Sequence, residues 1–117
     1  MKNDILKKYG FYGISTALLT PFIGQKIDYY SLEKIVTANI QAGVCAFVLF
    51  GSTGEHFSLT DDEKKQIFFT VKEITQNKLP LICCVGSPST KRALNDALIY
   101  KSYGADGLLI LPPFYYK

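Results

Sequence analysis

Ala46-Phe47-Val48-Leu49-Phe50-Gly51-Ser52-Thr53-Gly54-Glu55 joins an apolar run to a turn of small, hydroxyl-bearing residues, and a strong helix start follows at Thr60-Asp61-Asp62-Glu63. A buried strand that opens through Gly-Ser-Thr-Gly toward a helix presents hydroxyls and backbone N–H groups at one strand end, where ligands sit in α/β folds. The stretch therefore reads as a binding-site architecture. Thr60 to Glu63 is a capping box with two further acids in the first turn, where the helix dipole favours them.

The same alternation extends in both directions. Residues 1 to 12 read as a polar, then Gly/Tyr-rich lead-in. Ile14 to Leu19 has strand character, and Thr20-Pro21 ends it because proline lacks the ladder donor. A loop from Phe22 to Ile27 leads to Asp28, which can cap a helix. The apolar residues of that helix, Leu32, Ile35, Val36 and Ile40, keep helical spacing, and Gly43 stops it. The second strand is Ala46 to Phe50. The helix capped by Thr60 runs to about Gln76 and is expected to bury Ile67, Phe68, Val71 and Ile74. Leu81 to Val85 forms a third strand, and Gly86-Ser87-Pro88-Ser89-Thr90 repeats the small-hydroxyl turn at its end. The third helix, about Thr90 to Tyr103, places Ala93, Leu94, Ala97, Leu98 and Lys101 on one stripe, and Gly104 closes it. Leu108 to Leu111 is a fourth strand, followed by an extended aromatic stretch, Pro112-Pro113-Phe114-Tyr115-Tyr116-Lys117.

Continuously apolar strands separated by amphipathic helices imply a parallel sheet covered by helices. An open doubly wound sheet and the N-terminal half of a (β/α)8 barrel share this pattern. A complete barrel takes about 250 residues, and a 117-residue chain that stops straight after a strand fits residues 1–117 as the partial barrel, strands one to four, with the C-terminal half absent. A flavodoxin-like domain would need a fifth strand.

Composition narrows the function classes. The chain is 48% hydrophobic, enough for a core, and its formal charge of +3 arises from 13 basic and 10 acidic residues scattered along it. No basic block tracks a phosphate backbone, so nucleic acid is not an expected partner. The N-terminus has no apolar core of signal-peptide length and the apolar runs are too short to span a bilayer, so a cytoplasmic protein without membrane association is expected. Cys45, Cys83 and Cys84 lack CxxC spacing and read as small buried hydrophobes. With one histidine, His56, no zinc set is expected, and His56 itself reads as a loop residue without a catalytic role. Lys64, Lys65, Lys91 and Lys101 read as solvated helix residues.

Several motifs recur in order: Ala17-Leu18-Leu19-Thr20-Pro21-Phe22, Gly51-Ser52-Thr53-Gly54-Glu55 with Leu59-Thr60 and Glu63, Gly86 with Ser89-Thr90, Gly104-Ala105-Asp106-Gly107, and Pro113-Phe114-Tyr115-Tyr116. Together they resemble the dihydrodipicolinate synthase / N-acetylneuraminate lyase family over residues 13 to 117. The resemblance implies a (β/α)8 barrel, a homotetramer when full length, that condenses or cleaves pyruvate or a related 2-oxo acid through an imine to a lysine. No other cofactor is implied. By this resemblance the catalytic residues are Ser52, the hydroxyl of a tyrosine–hydroxyl–tyrosine relay, and Tyr115, which reaches into a neighbouring subunit. Thr53, with Gly51 and Gly54, would hold the pyruvate carboxylate. The imine-forming lysine and the second relay tyrosine are expected beyond Lys117. Ser52 and Phe114-Tyr115-Tyr116 resemble the lyases more than the synthases, and the second substrate is left open. The residues support the chemistry independently: glycines let the backbone approach a carboxylate, serine and tyrosine hydroxyls both donate and accept, and an imine needs an amine. The alternative is a truncated, catalytically inactive half-barrel that binds a small carboxylate or a partner subunit.

Overall fold

The structure, a computed structural model, describes Lys7 and residues 11–115. The expected lead-in before residue 11 lies, Lys7 apart, outside the described residues, as do Tyr116 and Lys117. In chain order the elements are β1 (Ser15–Ala17), β2 (Phe22–Ile23), β3 (Lys26–Ile27), α1 (Tyr29–Gln41), β4 (Ala46–Leu49), a 3-10 turn (His56–Ser58), α2 (Asp61–Ile74), β5 (Leu81–Val85), α3 (Thr90–Tyr103) and β6 (Gly107–Ile110). The expected loop from Phe22 to Ile27 contains a small antiparallel hairpin, β2 against β3, closed by Gly24-Gln25.

Strand order decides between the two candidate architectures. The main sheet runs β1-β4-β5-β6, every pair parallel and every neighbour next in chain order. A doubly wound sheet reverses direction at a switch point and places later strands on both sides of the first. Here β1 holds one edge and β6 the other. Right-handed crossovers advancing in one direction put all three helices on the same face, and α1 packs on α2 as α2 packs on α3. This is barrel winding, and the fold is four parallel strands and three helices of an N-terminal half-barrel.

The strands earn their burial on the helix face. Alternate residues of a strand point to opposite faces: Phe47, Leu49, Leu81, Cys83 and Val85 are almost wholly buried against the helices, whereas Val48, Ile82 and Cys84 on the opposite face are half-buried. The helices contribute Leu32 and Val36 from α1, Ile67, Phe68 and Val71 from α2, and Tyr100 from α3. Beyond this core, Leu108, Leu109, Ile110 and Leu111 are 39% to 64% exposed, so both faces of β6 are uncovered among the described residues.

Local chemistry sets the helix ends. The Asp28 carboxylate accepts from Ser31 N at 3.1 Å, and the Thr60 capping box forms in full: Thr60 Oγ1 accepts from Glu63 N and Glu63 Oε2 accepts from Thr60 N at 2.8 Å. α2 ends two residues short of Gln76, because Gln76 and Asn77 both take left-handed backbone angles. α3 presents a different face from the expected one. Leu94 and Leu98 are exposed, while Asp96 and Tyr100 are buried with Ala93 and Ala97 half-buried beside them. The larger aromatic surface wins this rotation: Tyr100 stacks on Phe50 with ring centroids 5.4 Å apart, and Tyr103 meets Phe68 at 5.6 Å.

Candidate active site at the strand ends

Phe50 leaves β4 with φ +63°, buried at the sheet end, and the chain then folds into the Gly51–Gly54 turn. Within it Gly51 O accepts from Gly54 N at 3.1 Å and from His56 N at 3.3 Å, and Ser52 O accepts from Glu55 N at 3.1 Å. The amides of Ser52 and Thr53 have no backbone partner among the described residues and remain as donors. Glu55 is again left-handed, φ +57°, and the 3-10 turn His56–Ser58 follows. The turn therefore does not run directly into α2. The first turn of α2 is occupied by its own capping box and by Asp61, Asp62 and Glu63, so an anion at this site meets the amides of the turn and not the helix dipole.

Packing holds the turn in place. A Cβ added at Gly54 would lie 2.9 Å from Leu18 O and 3.4 Å from Phe50 N, so only glycine lets the turn lie against the end of β1. Thr20 Oγ1, buried, donates to Gly54 O at 2.7 Å from 34 positions away. Gly51 is less constrained, because a Cβ there would meet Cys84 Sγ at 3.5 Å, an ordinary contact.

A cavity of about 330 Å³ opens between this turn and the C-terminal ends of β5 and β6, walled by Gly51, Ser52, His56, Cys84, Gly86 and Leu109 among others. Of the residues singled out in the sequence, Ser52 and Gly51 line it. Gly54 lies behind the turn in a packing role, and Thr53 is exposed beside it. Tyr115 is not part of this cavity: it is 87% exposed with φ +74°, past the end of β6, where its neighbour Phe114 packs edge-on against Phe57 at 5.8 Å. A wider groove of about 700 Å³ between α1 and α2, beside Tyr29 and Gln66, touches no strand end.

Three polar residues are buried beside this turn, and one of them, Lys64, departs from its sequence-based reading. His56 is buried, with its ring edge-on to Phe57 at 4.8 Å and Nδ1 without a hydrogen-bond partner among the described residues. Burial, and then the charge of Lys64, lowers its pKa from the usual 6.5 and keeps it neutral at pH 7. Lys64, expected to be solvated, is also buried, and desolvation lowers its pKa against the opposing pull of Asp61 and Asp96. Asp96 is buried across the α2–α3 seam and faces Arg92 Nε at 3.6 Å, while Arg92 Nη2 donates to Asp61 at 3.4 Å. The sequence held a signal for this cluster. Lys64 precedes Ile67, Phe68 and Val71 at helical spacing, and Asp96 falls between Ala93, Ala97 and Tyr100 in the same way.

Burial raises the pKa of Cys84 at the cavity wall and, further, that of Cys83 on the helix face, so neither is a thiolate near neutral pH. All three cysteines are free. Among the described residues no group of His, Cys, Asp and Glu side chains gathers to hold a metal, and no helix is long and apolar enough to cross a membrane.

Comparison with known proteins agrees with this geometry. The model of the Dihydrodipicolinate synthetase family matches residues 10–117. A 4-hydroxy-tetrahydrodipicolinate synthase from Fervidobacterium nodosum is 39% identical over 107 residues, 92% of this chain and 37% of that protein. Among solved structures, the dihydrodipicolinate synthase from Acinetobacter baumannii complexed with pyruvate is 32% identical, with a TM-score of 0.84 over 88% of this chain and 36% of that one. CdNal from Clostridium difficile in complex with mannosamine is 38% identical, with a TM-score of 0.81 over 90% of this chain and 37% of that one. The chain spans little more than a third of the length of the relatives it matches.

Proposed function

The chain belongs to the dihydrodipicolinate synthetase family, and from that premise we propose that it forms strands one to four of a pyruvate-dependent Schiff-base lyase or synthase. The observation that carries the reading is the cavity at the C-terminal ends of the parallel strands, with Ser52 on its wall, because barrel enzymes place their chemistry on that face. Its volume of about 330 Å³ sits near the small end of ligand pockets, which suits a 2-oxo acid and a second small reactant.

In this reading the 2-oxo acid sets its carboxylate against the N–H groups of Ser52 and Thr53 and the Thr53 hydroxyl, and Gly51 keeps the approach open. Its ketone condenses with the amine of a lysine on a downstream strand, releasing water to give the imine. Loss of a proton from the methyl carbon gives an enamine, whose carbon bonds to the carbon of an aldehyde while the aldehyde oxygen takes up a proton. Hydrolysis then frees the product, and cleavage runs the same steps backwards. Ser52 Oγ both accepts and donates, and it passes the proton between two tyrosines. One of these is Tyr115, contributed across a subunit boundary in a homotetramer, a reading that its exposure past β6 supports. A cytoplasmic location fits the same reading.

The test is a split between two steps. In the full-length product Ser52→Ala retains adduct formation with pyruvate but loses about 100-fold in aldol turnover, the scale of a missing acid–base group. Unchanged turnover would overturn the role of Ser52.

A further inference from the structure

We propose that Thr20 is a positioning residue for the catalytic turn, acting through Gly54, an inference that rests on the aldolase reading of that turn. The turn is bracketed by two left-handed residues, Phe50 and Glu55, a conformation that surrounding structure must hold in place. The hydrogen bonds inside it, from Gly54, Glu55 and His56 N–H groups, are local and fix its shape but not its place. Thr20 supplies the connection to the rest of the sheet: its buried hydroxyl donates to Gly54 O at 2.7 Å.

Thr20 is itself held from both sides. The following Pro21 restricts it to extended backbone, and Pro21 O accepts from Asp28 N at 2.9 Å, so this segment is tied to the start of α1. Before it, Leu18 N donates to Val48 O at 2.9 Å, and Leu18 O is the atom against which Gly54 packs. The chain of contacts runs from the α1 cap through Pro21 and Thr20 to Gly54, two residues from Ser52. Without the hydroxyl, Gly54 O is a buried acceptor lacking this donor, and the turn relaxes away from β1, carrying the Ser52 hydroxyl and amide off their positions.

The experiment compares Thr20→Val, which keeps the shape and removes the donor, with Thr20→Ser, which keeps the donor. In the full-length product the expected result is a loss of about tenfold or more in kcat/KM for Thr20→Val, falling mainly on kcat, as small misplacement of reacting groups produces. Thr20→Ser stays within about twofold. Equal activity of Thr20→Val and the parent, or an equal loss in Thr20→Ser, would overturn the proposal. Hydrogen exchange on the full-length product separates this inference from the aldolase reading. Thr20→Val speeds exchange of the Gly54, Glu55 and His56 amides about tenfold while those in the middle of α2 hold their rates, and unchanged exchange at the turn overturns the latch whatever the chemistry. Should the valine variant not fold, Thr20→Ala and Thr20→Ser must show the same ordering. If the parent forms no pyruvate adduct, the aldolase reading fails and the exchange result still decides the latch.

Discussion

Replacing Gly54 by alanine puts a methyl carbon 2.9 Å from the Leu18 carbonyl oxygen and 3.4 Å from the Phe50 nitrogen. Both obstacles are backbone atoms, and Leu18 is tied to β4 through its own N–H, so neither yields as a flexible side chain would. The turn must move instead, which stretches the Thr20–Gly54 hydrogen bond. Overpacking of this kind costs about 1–3 kcal/mol, a large fraction of the roughly 5–15 kcal/mol that holds a domain folded. For a chain of 117 residues that corresponds to a fall in Tm of about 3–15 °C. The control is Gly51→Ala in the same motif, whose added carbon meets Cys84 Sγ at 3.5 Å and lowers stability by less than about 0.5–1 kcal/mol while intruding on the cavity. Urea unfolding of both variants with a common m-value measures the difference. Equal stability of Gly54→Ala and Gly51→Ala would refute the packing account of the turn.

The remaining predictions concern the helices and the buried polar groups. Thr60→Ala removes the acceptor for Glu63 N in the α2 capping box and lowers unfolding free energy by about 1 kcal/mol, read by chemical denaturation. His56 has a folded-state pKa below its unfolded value of about 6.5, so both states are neutral above that pH and the unfolded state takes up the proton first as pH falls. Stability therefore declines from about pH 6.5 downward to the folded pKa. His56→Phe lacks this part of the slope in Tm measured from pH 7.5 to pH 5, and an identical slope would contradict the assignment. Lys64 is charged in the unfolded state at neutral pH, and its depressed folded-state pKa marks a penalty on folding there. That penalty is present in full below the folded pKa and vanishes above the unfolded value near 10.5. Lys64→Met, which leaves Asp61 and Asp96 paired with Arg92, is consequently neutral to slightly stabilising at pH 7, and marked destabilisation would contradict the reading.

Elements with strong local signals were legible. The capping box at Thr60, the strand Leu81–Val85 and the helix Thr90–Tyr103 stand where their residues place them, because caps, apolar runs and helical spacing are encoded within a few positions. Barrel winding needed the strand order β1-β4-β5-β6, since both candidate architectures share the same alternation. The face of α3 was misread because leucines were weighed above tyrosines, and the stacking partner that decides it, Phe50, lies 50 positions earlier in the chain. Ser52 and Gly51 line a strand-end cavity, because a turn of small residues directly after an apolar strand is a signal carried within a few positions. The latch from Thr20 was not readable, because its acceptor is a main-chain carbonyl 34 positions away that no residue type announces. Tyr115 lies outside the cavity of its own chain, and the role proposed for it in a neighbouring copy would leave no trace within one copy.

The half-site account rests on chemistry that can be trapped. When the full-length product is incubated with pyruvate and reduced with borohydride, the account predicts a single stable adduct by mass, mapped to one lysine on an apolar strand beyond residue 117 and diminished by Thr53→Val. Absence of any adduct on a folded full-length protein, or an adduct scattered over the surface lysines Lys65, Lys91 and Lys101, would contradict it.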